Sequence, residues 1–144
     1  MAKASVFELL SVCQVAQDYL MKTVSQDQVE LYPGNFFTDP FPDGVDGILF
    51  SNVLHDWQPE KAALLINEAY RVLPKGGRVF IHEMLLNKES KPLAAATFNL
   101  LMYINHGSQQ YTNESLFSLL TECGFQGMKT IKTHPYYSVT IAEK

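Results

Sequence analysis

Basic charge is scarce. Eleven lysines and arginines stand against fifteen acids, a formal net charge of -4 over 144 residues. That leaves no electropositive footprint, and nucleic acid is excluded as a partner. Long apolar runs are missing too: no stretch approaches the roughly 20 residues that cross a bilayer, and no charged-then-apolar leader opens the chain, so no membrane association is expected. Cysteine is limited to Cys13 and Cys123, far apart in sequence and both in predicted helices. This rules out a disulfide framework and a thiolate metal site, and leaves two reduced, buried thiols in a cytoplasmic protein. No G-x-G-x-x-G fingerprint occurs, which argues against a nicotinamide-dependent dehydrogenase. Repeats, low-complexity tracts and internal shifts of composition are absent as well. The chain reads as one domain, large enough to bury a core.

What is present centres on Asp46 to Trp57, DGILFSNVLHDW. An apolar run too short for a globular helix ends in His-Asp-Trp, and Pro59-Glu60 then opens an amphipathic segment. The order is buried strand, loop holding a histidine, helix. Upstream, ASVFEL (Ala4 to Leu9) is a short apolar strand carrying Glu8, Val12 to Met21 has helical spacing, and Val29 to Tyr32 is a second strand stopped by Pro33-Gly34. Downstream, Ala62, Leu65, Ile66, Ala69, Tyr70 and Leu73 form one apolar stripe, Pro74-Lys75-Gly76-Gly77 stops that helix, and Arg78 to His82 is a strand reaching Glu83. Pro92 to Ile104 is a nearly uncharged helix, too apolar for an ordinary surface. Thr112 or Asn113 caps a helix ending at Gly124, and alternating segments around His134-Pro135 form an antiparallel hairpin. Strands alternating with helices indicate an α/β fold whose sheet is mostly parallel, closed by that hairpin.

Glu8, Asn35, His55 and Glu83 terminate four successive strands, and in a parallel sheet such ends share one edge. An acid there accepts two hydrogen bonds from a ribose diol, the role open to Glu8, although a solvated acid would look the same. Asn35 suits an adenine edge with Phe36 or Phe37 against the ring, while core packing is the commoner fate of a Phe pair. His55 alone among them titrates near neutral pH, which suits a general base, or it merely satisfies a loop. Glu83 can hold the second ring nitrogen. Asp56 is an alternative orienter or a helix cap. His82 reads as structural, and His106 and His134 carry no spacing signal. No cluster has metal-ligand spacing.

Five motifs then act together: VFELLSV (Val6 to Val12), PGNFFTDPFP (Pro33 to Pro42), LHDW (Leu54 to Trp57), LPKGGRVFIHE (Leu73 to Glu83) and GSQQYT (Gly107 to Thr112). In combination they resemble the carboxyl-terminal part of the small-molecule O-methyltransferases of the acetylserotonin (hydroxyindole) and caffeate type, which use S-adenosyl-L-methionine. The resemblance implies a Rossmann-like methyltransferase sheet with His55 as the base that deprotonates a substrate hydroxyl, Glu83 as its support and Gln110 as a third catalytic position. It implies cofactor contacts at Glu8, Asn35, Phe36, Ser51 and Trp57. Substrates of such enzymes are small phenols and indoles, with Phe98, Met102 and Asn105 as substrate-binding positions along the apolar helix.

Three departures stand out: the family usually has Asp at Asn35 and Glu at Gln110, and plant members often have Lys at Ser51. Members of the family are homodimers more than twice as long. Their amino-terminal dimerisation domain, first sheet strand and glycine-rich loop have no counterpart in these residues, so the chain begins at about the second strand. The strands of Glu8 and Ile48 are therefore expected either apart or forced into direct pairing. The competing expectation is a catalytically inactive truncated fragment, or a partner-binding remnant of such an enzyme.

Overall fold

Each short apolar run in the sequence becomes a strand, and the segments with helical spacing become the helices between them. The structure, a computed structural model, describes residues 3–22, 26–87, 89, 92–134 and 136–144. The chain divides into two compact units, Met1–Asp43 and Gly44–Lys144.

In the first unit, strand β1 (Ala4–Glu8) and strand β2 (Val29–Pro33) pair in parallel, with Ala4 opposite Val29 and Glu8 opposite Pro33. Parallel neighbours need a crossover, and helix α1 (Leu10–Leu20) lies on it. Cys13 is the buried residue of α1, whereas Val12, Val15 and Tyr19, apolar residues at helical spacing, remain exposed. Gly34 follows β2, and its N–H donates to the Glu8 carbonyl at 2.8 Å. A Cβ at Gly34 would stand 2.3 Å from the Phe7 ring, so a larger residue there would force that ring to move. Phe7 packs edge-on against buried Phe41, ring centroids 5.6 Å apart.

The second unit contains strand β3 (Gly47–Ser51), helix α2 (Pro59–Val72), strand β4 (Arg78–Glu83), helices α3 (Leu93–His106) and α4 (Asn113–Glu122), and strands β5 (Gln126–His134) and β6 (Tyr137–Glu143). Its sheet runs β3-β4-β6-β5. The β3–β4 pair is parallel, and β6 pairs antiparallel with both β4 and β5. The closing hairpin is present, with Pro135 of its turn outside the described residues. Because β6 also joins β4, the antiparallel share exceeds what the hairpin alone would contribute. Among the described residues β1 and β3 belong to separate sheets and do not pair with each other.

Helix α2 supplies the largest part of the second core. Ala62, Leu65, Ile66 and Ala69 are fully buried, as the stripe predicts, with Tyr70 only half-buried. Along β4 the two-residue period sends Val79, Ile81 and Glu83 inward and leaves Phe80 and His82 half-buried on the other face. Gly107, at φ +63°, ends α3 in the left-handed conformation that glycine tolerates best. Thr112 caps α4: its Oγ1 accepts from Ser115 N at 3.1 Å, and Ser115 Oγ accepts from Thr112 N at 2.9 Å. Among the described residues no helix is long and apolar enough to cross a membrane.

Candidate active site

Glu83 has no solvent exposure, and a buried carboxylate demands donors. It has two. One oxygen accepts from Leu54 N at 3.1 Å and the other from His55 Nδ1 in a short hydrogen bond. The path from β3 to that contact is tightly specified. Asn52 N extends the β3–β4 ladder by donating to the His82 carbonyl at 3.0 Å, and Asn52 then turns the chain at φ +54°, which asparagine adopts more readily than most residues. A single turn of 3-10 helix over Leu54–Asp56 follows, bringing the Leu54 amide and the His55 ring onto the same carboxylate.

A carboxylate can only accept, so Nδ1 of His55 carries a proton and Nε2 is the nitrogen left to exchange one. Asp56 Oδ1 stands 3.3 Å from Nε2, on a side chain open to solvent. Burial disfavours the imidazolium, but the Glu83 hydrogen bond and charge, assisted by Asp56, outweigh it and raise the His55 pKa above its ordinary value. Both carboxylates considered as orienters therefore touch His55, on opposite nitrogens; Asp56 makes no side-chain cap on α2. Phe98 meets the His55 ring edge-on, centroids 5.9 Å apart. It also lines an open apolar groove of about 480 Å³ with Leu93, Ala94, Thr97, Leu101 and Tyr136. Met102 is buried, Asn105 is exposed, and neither lines the groove.

The loop from Gly107 to Thr112 is anchored at two points. Gln110 N donates to Asn99 Oδ1 at 2.7 Å, next in sequence to Phe98, and Leu86 N donates to the Tyr111 carbonyl at 2.9 Å, three residues past Glu83. Gln110 is buried. Tyr111 was not singled out from sequence, yet it too is buried, and burial, then the charges of Glu83 and Glu60, push its pKa up to about 12. Ser108 and Asn99 were likewise passed over. Ser108 sits in a polar run between two helices, and Asn99 is a single polar residue inside the apolar helix α3.

Elsewhere in this unit, Ser51 Oγ is 3.0 Å from His82 Nδ1, and the His82 ring stacks on Tyr137 at 4.8 Å, which accounts for His82 as a structural residue. Trp57 is half-buried, with Lys61 Nζ 5.2 Å from its ring centroid.

In the first unit, the Gly34–Glu8 bond sets Asn35 at the end of the sheet that Glu8 closes. Glu8 is half-buried, and one carboxylate oxygen accepts from Leu9 N at 2.9 Å. Asn35 Oδ1 accepts from Phe37 N at 3.0 Å, and Asn35 N donates to Asp39 Oδ2 at 2.8 Å. That turn requires only an acceptor oxygen, so Asn serves in it as Asp would. Phe36 and Phe37 are half-buried and pack edge to face at 4.8 Å.

Known proteins bear on this arrangement. A 3-hydroxy-5-methyl-1-naphthoate 3-O-methyltransferase from Streptomyces sahachiroi is 28% identical over 129 residues, 89% of this chain and 37% of its own. The crystal structure of human N-acetylserotonin methyltransferase in complex with S-adenosylmethionine superposes with a TM-score of 0.90 at 29% identity, covering 99% of this chain and 40% of that one. An O-methyltransferase family 2 protein from Planctomyces limnophilus, in complex with apigenin, gives 0.91 at 31% identity over 99% of this chain and 43% of that one. The chain thus spans about 40% of the length of the relatives it matches. Residues 1–126 match the O-methyltransferase domain family, and the chain belongs to it.

Proposed function

We propose that residues 1–144 are part of the catalytic domain of an S-adenosylmethionine-dependent O-methyltransferase acting on a hydroxyl of a small phenol or indole. The observation that carries this reading is the buried His55–Glu83 pair, in which the carboxylate fixes which ring nitrogen is protonated. An unperturbed phenol has a pKa near ~10 and is mostly protonated at neutral pH, so removing its proton is the chemical task left to the protein. His55 Nε2 takes that proton, and the imidazolium so formed is stabilised by Glu83 through Nδ1 and by Asp56 beside Nε2. The phenolate oxygen is then the nucleophile. Phe98 confines the His55 ring from one side. S-adenosylmethionine, when bound, supplies the methyl group on a sulfonium and leaves as the thioether.

The residues of the first unit fit that cofactor. Glu8 offers a carboxylate at a strand end for a ribose diol, and Asn35 and Phe36 offer a polar edge and a ring face for adenine. Ser51 and Trp57 are further cofactor positions by resemblance, and Gln110 is a third polar group for the reacting end.

The test exchanges residues 1–144 for the matching segment of human N-acetylserotonin methyltransferase and follows methyl transfer. His55→Ala should lower turnover by ~10²–10⁴-fold, the size of a lost general base, with cofactor affinity unchanged. His55→Gln, which keeps a donor for Glu83, controls for folding. Turnover equal to the parent in both variants would remove His55 from the mechanism.

A further inference from the structure

Four buried side-chain polar atoms lack a hydrogen-bond partner among the described residues: Ser108 Oγ, Gln110 Oε1, Gln110 Nε2 and Tyr111 Oη. Their residues are 1%, 4% and 3% exposed, and all belong to one four-residue stretch. Protein interiors leave very few such atoms unpaired, so this concentration requires an explanation. A loosely held loop does not supply one. The loop is held to Asn99 and Leu86 by hydrogen bonds of 2.7 and 2.9 Å, Gly107 closes the helix before it, and the Thr112–Ser115 capping box opens the helix after it. The main chain is anchored while its polar side chains are unsatisfied.

The two anchors give the loop its place. Leu86 lies three residues beyond Glu83, and Asn99 adjoins Phe98, whose ring meets His55. The loop is thereby tied to the segment that follows Glu83 and to the helix that carries Phe98. Its side chains have a definite chemistry. None carries a charge. Gln110 presents one acceptor and two donors, Ser108 can do either, and Tyr111 stays protonated and can donate. The neighbouring carboxylates of Glu83 and Asp56 would repel a second anion.

We propose that Ser108, Gln110 and Tyr111 form a neutral hydrogen-bonding wall that selects acceptors bearing an uncharged donor–acceptor group, such as a carboxamide, over the corresponding carboxylates. The proposal rests on the reading of His55 and Glu83 as the place where the acceptor hydroxyl binds. A site built to hydrogen-bond a substrate group rejects the analogue that leaves its buried polar atoms unpaired.

Two measurements on the 144-residue chain test it. Calorimetry compares a hydroxynaphthalene carboxamide with the carboxylate of the same ring and hydroxyl position. The parent should bind the carboxamide at least about tenfold tighter, and Gln110→Leu should remove most of that advantage. Thermal unfolding of the ligand-free chain gives the second readout: Gln110→Leu and Tyr111→Phe should each raise Tm, because each removes unpaired buried polar atoms. Equal binding of the two probes, binding of neither, or a preference that survives Gln110→Leu overturns the proposal. So does a fall in Tm in both variants, which would mean that ordered water or another segment already pairs these atoms. Full turnover by His55→Ala would sink the proton-transfer reading and leave the selectivity standing, whereas lost selectivity with His55 still required sinks this proposal alone.

Discussion

Glu83→Gln conserves the volume of a wholly buried side chain and exchanges one oxygen for an NH2 group. The native carboxylate accepts from Leu54 N and from His55 Nδ1. In the variant the amide oxygen can keep the Leu54 amide, which turns the NH2 toward His55. Two donors cannot face one another, so His55 must move its proton to Nε2 and accept through Nδ1. Nε2, the nitrogen proposed to take the acceptor's proton, is then blocked. On the stability side, a charge-assisted hydrogen bond of ~1.5–3 kcal/mol becomes a neutral one of ~0.5–1.5 kcal/mol, a loss of about 1–2 kcal/mol. A domain stable by about 5–15 kcal/mol survives that. The kinetic effect is larger. A base held in the wrong tautomer loses ~10²–10⁴-fold in rate, about 3–5 kcal/mol of barrier. Glu83→Ala is a different perturbation, because it leaves the Leu54 amide and the His55 ring without their acceptor and costs about 3–5 kcal/mol of stability. Nitrogen-15 NMR of the imidazole ring reports the tautomer in the 144-residue chain, thermal unfolding reports the stability, and the exchange chimera reports turnover. An unchanged Nδ1–H tautomer together with parental turnover would refute the reasoning.

The raised pKa of His55 makes two pH effects run in opposite directions. The protonated ring favours the folded state, so its contribution to stability is complete below the ordinary value of about 6.5 and is lost as pH climbs through the raised one. Turnover needs the neutral ring and should rise over that same window; unfolding scans and the acid limb of kcat/KM, each compared with His55→Gln, check both. Asp56→Asn should lower the His55 pKa and move the acid limb to lower pH, and an unmoved limb would show that Asp56 does not reach Nε2 in solution. In the core, Leu65→Ala should cost about 2–5 kcal/mol, since the side chain is fully buried on the central stripe of α2, as measured by denaturant unfolding. Thr112→Ala should cost ~1 kcal/mol by removing one half of the capping box, with Thr112→Ser restoring it.

Legibility followed periodicity. The α2 stripe, the β4 alternation and the closing hairpin each repeat a hydrophobic pattern whose period dictates the element, and each formed close to where it was predicted. Helix α1 shows the limit of that signal. Its spacing is helical, but Val12, Val15 and Tyr19 stay exposed, because periodicity names the face without saying what covers it. Strand order was less legible still. That β6 would sit between β4 and β5 depends on tertiary pairing, which no local pattern carries.

The candidate site divides along the same line. His55 and Glu83 were readable because a titrating ring and an acid at strand ends are unusual residue types in unusual places, and Glu83 falls on the inward phase of β4. Asp56 was ambiguous because adjacency to His55 and proximity to a helix start coincide in sequence; only the 3.3 Å approach to Nε2 separates the two roles. Ser108 and Tyr111 gave no sequence signal because polar residues between helices are ordinarily solvated turn residues, and Asn99 gave none as a lone polar residue within α3. Burial reverses that expectation. Among the described residues the loop carries unpaired polar atoms where two hydrogen bonds, from Gln110 N and Leu86 N, hold it against the rest of the second unit. Both bonds join segments more than ten residues apart, and long-range placement of this kind is set by the packed fold, not by any window of sequence.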